Sequence, residues 1–274
     1  MIEPLVKLTA GEGTQRAGWK GRKTGVRRPD RAFWETSGMP PLSAATGFPN
    51  SDPELPDDTV SYGPEINDER ELRLLGTPDR KRVLVLGSGG GRAPVVLARS
   101  GAHVIVVDND HRALDAARGR AEQHECRLEL HQADLAELAF IRADTVDLAL
   151  SVYELGRQSD LDRVLRQVHR VLRTGSAFVC SFPHPAYLML DPAADDPFRV
   201  VHRYLDRAGR AENDGVVFPR SIAEIFGSFA RANFRIDALL EPGLEERDRQ
   251  GPHWSEAMRR VPATLVIRAR KEGN

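Results

Sequence analysis

The stretch Val83–Asp108 constrains this chain more than any other part of it. An apolar run, VLVLG, ends in glycines as GSGGG and passes into a segment with helical spacing. A second apolar run, HVIVV, then ends on Asp108. Strand, glycine turn, helix, strand and acid in that order make half of a nucleotide-binding α/β unit, with the acid placed to hold a ribose. Gly87, Gly89 and Gly91 remove side chains, so that backbone can approach a ligand, and they permit positive φ in the turn. The helix that follows presents unsatisfied N–H groups to an anionic group.

The remaining pattern extends this half into a full sheet. Glu69–Leu75 predicts a short helix. Strands are predicted at Arg82–Leu86, Val104–Val107, Arg127–His131, Thr145–Ser151, Ala177–Phe182, Phe234–Leu240 and Thr264–Ala269. Between them, Ala93, Val96 and Leu97 give one helix an apolar face, Pro94 falls in its first turn, and Gly101 stops it. Asp110 can cap the next helix. Leu161, Val164, Leu165, Val168, Val171 and Leu172 recur at helical spacing, with Gly175 expected to end that helix. Ser221 and Glu224 form a capping-box pattern ahead of Ile225, Phe226 and Phe229. Alternating strands and helices predict a doubly wound, Rossmann-like α/β domain with seven strands, mostly parallel, the last antiparallel. The ligand is expected outside the carboxyl ends of strands one and two, where the winding is expected to reverse.

At 274 residues the chain can bury a full core, and its formal net charge of -1 gives no general bias toward nucleic acid or acidic membranes. No run approaches the roughly 20 apolar residues that span a bilayer, and the first residues lack a signal-peptide layout. Cys126 and Cys180 stand without CxxC partners, so no metal site or disulfide framework is expected and a cytoplasmic setting follows. Residues 1–60, rich in Gly, Pro, Ser and Thr, are expected to form an irregular extension to a domain spanning 61–274. Trp19, Phe33, Trp34 and Phe48 could anchor part of it.

Several segments of this core together resemble the class I S-adenosylmethionine-dependent methyltransferases, and within them the broad quinone-biosynthesis group. VLVLGSGGG (Val83–Gly91) is similar to the family's first motif, and HVIVVDND (His103–Asp110) to its second strand with the ribose-binding acid. HQADLAEL (His131–Leu138) resembles the segment whose acid faces the adenine amino group. DLALSVYEL (Asp147–Leu155) and RVLRTGSAFVCSFPHP (Arg170–Pro185) resemble the fourth and fifth strands with their flanks. The likeness runs from about Tyr62 to the end and implies S-adenosyl-L-methionine as cofactor. Gly87, Ser88, Gly89, Gly91, Asp108, Asn109, Asp134, Leu135, Ser151 and Tyr62 are the implied binding residues. A dinucleotide fingerprint fits less well, because Arg92 stands where its third glycine would fall. One departure from the family is Val85, where an acid is usual two residues before the first glycine. Glu154 or Tyr62 could take its place.

Methyl transfer is a displacement at a sulfonium, and positioning and desolvation supply much of its catalysis. His184, between Pro183 and Pro185 after the fifth strand, is the first candidate to accept a proton or hold substrate. Tyr153 and Glu154, after the fourth strand, are candidates to line the transfer pocket. His202 and Tyr204 fall in a polar segment that could close over substrate, with His253 and Trp254 as further candidates. The expected partner is a small-molecule methyl acceptor, for a monomer or homodimer, with no membrane partner. Lys20, Arg22, Lys23, Arg27, Arg28 and Arg31 near Trp19 and Trp34 keep RNA as an alternative acceptor, and Val85 keeps a non-catalytic binding protein as another.

Overall fold

The computed structural model describes Phe48 and residues 55–273, save 193, 213–214 and 244–252. All of these fall within one compact unit, 41–274. The basic stretch Lys20–Arg31 and the aromatics Trp19, Phe33 and Trp34 lie outside the described residues.

The sheet is built from β1 (Arg82–Leu86), β2 (His103–Asp108), β3 (Glu129–Gln132), β4 (Val146–Val152), β5 (Leu172–Pro183), β8 (Phe234–Leu240) and β9 (Thr264–Lys271). Their order is β3-β2-β1-β4-β5-β9-β8. β1 to β5 are parallel neighbours, and β9 runs antiparallel to both β5 and β8. The expected seven strands are therefore present, with the antiparallel final strand inserted between the fifth and the edge. The winding reverses between β1 and β4, not between strands one and two as expected. The chain starts at β1, steps outward through β2 to β3, and returns to the other side of β1.

Helices α1 (Glu69–Leu72), α2 (Arg92–Arg99), α3 (His111–Gln123), α4 (Leu161–Val171) and α5 (Ile222–Arg231) complete the fold. Alternate residues of the strands feed two cores, as side chains of period two must. Leu84, Leu86, Ile105 and Val107 join α4 and α5 on one face through Val164, Leu165, Val168, Ile225 and Phe229. Val83, Val85, Val104 and Val106 join α2 and α3 on the other through Val96, Leu97 and Leu114, together with Val60 and Tyr62. Cys180 is buried in the first core.

The caps follow the sequence signals. Asp110 accepts from Arg112 N at 2.9 Å, and Ser221 and Glu224 form the full capping box. β5 starts at Leu172, ahead of the expected Ala177, and β3 at Glu129; two helix ends also differ from expectation. α1 stops at Leu72 because the Glu69 carboxylate takes the Leu74 and Leu75 N–H groups at 2.9 Å each. α4 ends at Val171, ahead of Gly175, because Leu172 already pairs with Val146 in the sheet. The segment after β5 also carries more order than its polar composition suggests. It holds a single turn of helix at Tyr187–Met189 and a hairpin, β6 (Arg210–Glu212) with β7 (Gly215–Val217).

The glycine turn is packed as tightly as its sequence demands. Gly91 has φ +84, and a Cβ there would stand 2.7 Å from Ala117 Cα of α3. Gly91→Ala is expected to lower unfolding free energy by about 1–3 kcal/mol, from positive φ and overpacking together. Urea denaturation checks this, and an unchanged midpoint would mean that α3 yields without cost.

Candidate cofactor site at the glycine turn

β1 delivers the chain to Gly87, whose φ of +81 no side-chain-bearing residue adopts easily. Gly87 N donates to Val107 O at 2.9 Å, which holds the turn against the end of β2. Ser88 N donates to one Asp108 carboxylate oxygen at 2.7 Å, and Asp110 N to the other at 2.9 Å. Asp108 is 7% exposed. A carboxylate offers roughly four acceptor sites, so two backbone bonds leave capacity for ligand hydroxyls. The Ser88 hydroxyl is buried and unpartnered beside it.

β4 closes the site from the other side. Ser151, fully buried, donates to Leu86 O at 2.9 Å and locks the tips of β1 and β4 together. Tyr153 then turns the chain with φ +62, a conformation costing a bulky residue roughly 1–2 kcal/mol. Its ring is held by Phe48 at 5.4 Å, and its hydroxyl shares a hydrogen bond of 2.6 Å with Thr264. Burial pushes the Tyr153 phenol far above its ordinary range. This turn places Glu154 over Gly87: a Cβ on that glycine would stand 2.6 Å from Glu154 Cγ.

A cleft opens at this corner. Val85, Gly87, Ser88 and Gly89 line it from β1 and the turn, Arg92 and Ala93 from α2, Val152 from β4, and Leu55, Pro56, Thr59 and Ser61 from the preceding segment. That segment is fastened across the turn. Arg92 donates to Leu55 O at 2.9 Å and to Asp57 at 3.2 Å. Arg120 donates to Asp57 at 2.7 Å and to Gly90 O at 3.2 Å. None of these four lining residues before Tyr62 was singled out in the sequence, where an ion pair across 63 positions leaves no local signal.

The other expected residues are spread more widely. Tyr62 is fully buried and donates to Glu69 at 2.5 Å; burial, then Glu69, raises its phenol well above the usual range. Asp134 is exposed and accepts from Ala136 N at 2.8 Å, closing a turn. Leu135 packs in the α4-side core with Leu138 and Ile141. Asn109 is exposed, and its carbonyl accepts from Gln132 at 3.3 Å. His184 is 3% exposed. Its Nδ1 accepts from Ala186 N at 3.1 Å, so Nε2 carries the proton and donates to Glu241 at 2.8 Å. The imidazole is thus engaged at both nitrogens. His202 is half-buried, and the Tyr204 hydroxyl accepts from Ile222 N at 3.2 Å, capping α5. His253 lies 6.3 Å from the Phe48 ring, edge-on, and Trp254 packs beside Tyr187, Leu190 and Met258.

Residues 83–175 match the family model of the methyltransferase domain. The chain is 32% identical over 133 residues to the ubiquinone/menaquinone biosynthesis C-methyltransferase UbiE of Acidiphilium cryptum, covering 46% of this chain and 52% of that protein. It is 26% identical over 110 residues to the uncharacterized methyltransferase YbaJ of Bacillus subtilis, covering 40% and 43%. An S-adenosylmethionine-dependent methyltransferase from Mesorhizobium loti superposes with a TM-score of 0.62 at 26% identity, over 73% of this chain and 94% of that one. Over residues 83–175 the chain matches a methyltransferase domain, and its fold is that of the S-adenosylmethionine-dependent methyltransferase from Mesorhizobium loti. The chain spans about half the length of the curated relatives it matches first.

The cofactor of this family is S-adenosylmethionine, and the methyltransferase turn suits it. Gly87 and Gly91 have no room for side chains, a buried carboxylate stands behind the turn with acceptor sites to spare, and the buried Ser88 hydroxyl lacks a protein partner. Among the described residues, no group of three or more His, Cys, Asp or Glu side chains is arranged to hold a metal. No described helix is long and apolar enough to cross a membrane.

Burial holds the His184 imidazole below its usual range, with Glu241 opposing only in part. The unfolded chain, near pKa 6.5, therefore takes a proton that the folded chain resists. Stability from this group is complete above that value and is lost as pH falls toward the lower folded value. Urea unfolding is expected to weaken from pH 7.5 toward 5.5, and His184→Asn, which keeps an acceptor for Ala186 N–H, to flatten that slope. An identical slope in the variant would remove His184 as its source.

Proposed function

We propose that the chain transfers the methyl group of S-adenosylmethionine to a small-molecule acceptor in the cytoplasm. The observation that carries this reading is the joined geometry of the glycine turn and Asp108: Ser88 N stands 2.7 Å from a buried carboxylate, and Gly87, Ser88 and Gly89 line a cleft. The acceptor class draws support from those relatives that are ubiquinone or menaquinone biosynthesis methyltransferases. A net charge of -1 adds no general pull toward RNA.

When bound, the cofactor supplies a methyl group on a positively charged sulfur. The residues of this chain do the rest. Asp108 accepts from the ribose hydroxyls, Ser88 offers its hydroxyl to the same end, and Asp134 and Asn109 border the base. Leu55 and Pro56 keep water from the turn. Tyr153 and Glu154 shape the mouth at β4, and His184 steadies the loop after β5 through its two hydrogen bonds. Neither Tyr153, whose phenol holds its proton, nor His184, whose Nδ1 is taken, stands ready as a base. Catalysis then rests on placing acceptor and methyl in line, a contribution that reaches roughly 7–11 kcal/mol in well-oriented systems.

Titration calorimetry with S-adenosylhomocysteine is the direct test of the site. Asp108→Asn is expected to weaken binding by about 1–3 kcal/mol, the scale of a lost hydrogen bond to a charged group; full affinity in the variant would remove the ribose assignment. Radiolabelled cofactor incubated with a cell extract should yield label in the small-molecule fraction. Label in RNA would move the acceptor to nucleic acid, and binding without any labelled product would leave a non-catalytic protein.

A further inference from the structure

Resting on that reading of the site, we propose that the strap of residues 55–61 is a gate latched by Asp57, which opens to admit the cofactor and closes again above it. Leu55, Pro56, Thr59 and Ser61 form one wall of the cleft; the tips of β1 and β4, the glycine turn and the start of α2 form the rest. The cavity they enclose is about 20 Å³, room for roughly one water. Small-molecule sites run to about 300–1,000 Å³, so a nucleoside with an amino-acid arm enters only if a wall moves. The other walls are fixed. Ser151 ties the tips of β1 and β4 through Leu86 O at 2.9 Å. Gly87 N and Ser88 N fasten the turn to β2. The start of α2 is packed against α3, where Gly91 leaves no room for a Cβ beside Ala117.

The strap is built differently at its two ends, and residues 55–61 belong to neither helix nor strand. The end nearer Tyr62 is anchored. Val60 is 1% exposed, its carbonyl accepts from Glu69 N at 2.9 Å, and the Thr59 hydroxyl donates to Asp68 at 3.2 Å. The other end is held through side chains of α2 and α3. Arg92 donates to Leu55 O at 2.9 Å and to Asp57 Oδ1 at 3.2 Å, and Arg120 donates to the same oxygen at 2.7 Å. One carboxylate thus carries both ion pairs. Arg120 also donates to Gly90 O at 3.2 Å, which seats the latch on the glycine turn itself. The Asp57 side chain is 47% exposed, so its pairs are screened and break readily. When Asp57 lets go, the strap swings about Thr59 and Val60 and uncovers the turn.

The test is the binding kinetics of S-adenosylhomocysteine on the full chain, read by surface plasmon resonance. A gate that closes over the site with and without ligand slows entry and exit equally. Asp57→Ala is expected to raise both the association and the dissociation rate constant by ~3–30-fold, the scale of one or two partly exposed ion pairs. The dissociation constant should stay nearly unchanged. Added salt should quicken both rates in the wild type, because it screens the latch, and neither in the variant. The ligand's ammonium and carboxylate cancel, so salt does not act through its net charge. Faster dissociation alone, with weaker binding, would make the strap a fixed wall and overturn the proposal. Faster association alone, with tighter binding, would make it a competitor of the ligand and overturn it too, as would unchanged rates. A wild-type chain that does not bind S-adenosylhomocysteine would remove the methyltransferase reading of the site, and the gate with it.

Discussion

The bond from Ser88 N to the Asp108 carboxylate is the constraint on which the rest of the site depends. It ties the turn leaving β1 to the last residue of β2. A carboxylate that is 7% exposed must be compensated, and two backbone N–H groups at 2.7 and 2.9 Å do so. Because those donors come from the main chain, they use only part of the acid's capacity. The same acid can thus hold the turn in shape and still meet a ligand. Parallel pairing of β1 with β2 and β4 sets the height of all three tips, and Ser151 fixes the third with its bond to Leu86 O.

Strain and polarity concentrate at the end of β4. Tyr153 adopts left-handed backbone, and its ring is enclosed by Phe48 and a hydroxyl pair with Thr264. Surroundings that fully bury an aromatic ring can sustain a backbone cost of this size. The result is a rigid reversal that aims the next side chain at the glycine turn. The His184 imidazole is occupied on both sides, and the Tyr153 phenol is held neutral by its surroundings.

The segment that roofs the cleft introduces a different kind of control. Leu55 and Pro56 lie above the turn, held by Arg92 and Arg120 through Asp57. Arg92 has a side chain only 15% exposed, so its pairing is less screened than that of a surface ion pair. A residue that looks like a defect in a dinucleotide fingerprint is thus the anchor of a strap.

Local chemistry made the fold legible in the sequence. Periods of two and near four, glycines at 87, 89, 91 and 101, and the caps at Asp110 and Ser221 are properties of neighbouring residues, and each acts where it stands. They determined the strands, most helix ends, the glycine turn and the acid on β2. What they left open were matters of distance along the chain. The reversal between β1 and β4, Arg120 reaching Asp57 across 63 positions, and His184 meeting Glu241 across 57 were decided only when the sheet brought those residues together. The same holds for Tyr62, whose hydroxyl goes to Glu69, and for Glu154, whose stem lies against Gly87. Periodicity and turn chemistry are encoded by adjacent residues, whereas a partner from another strand is chosen by packing.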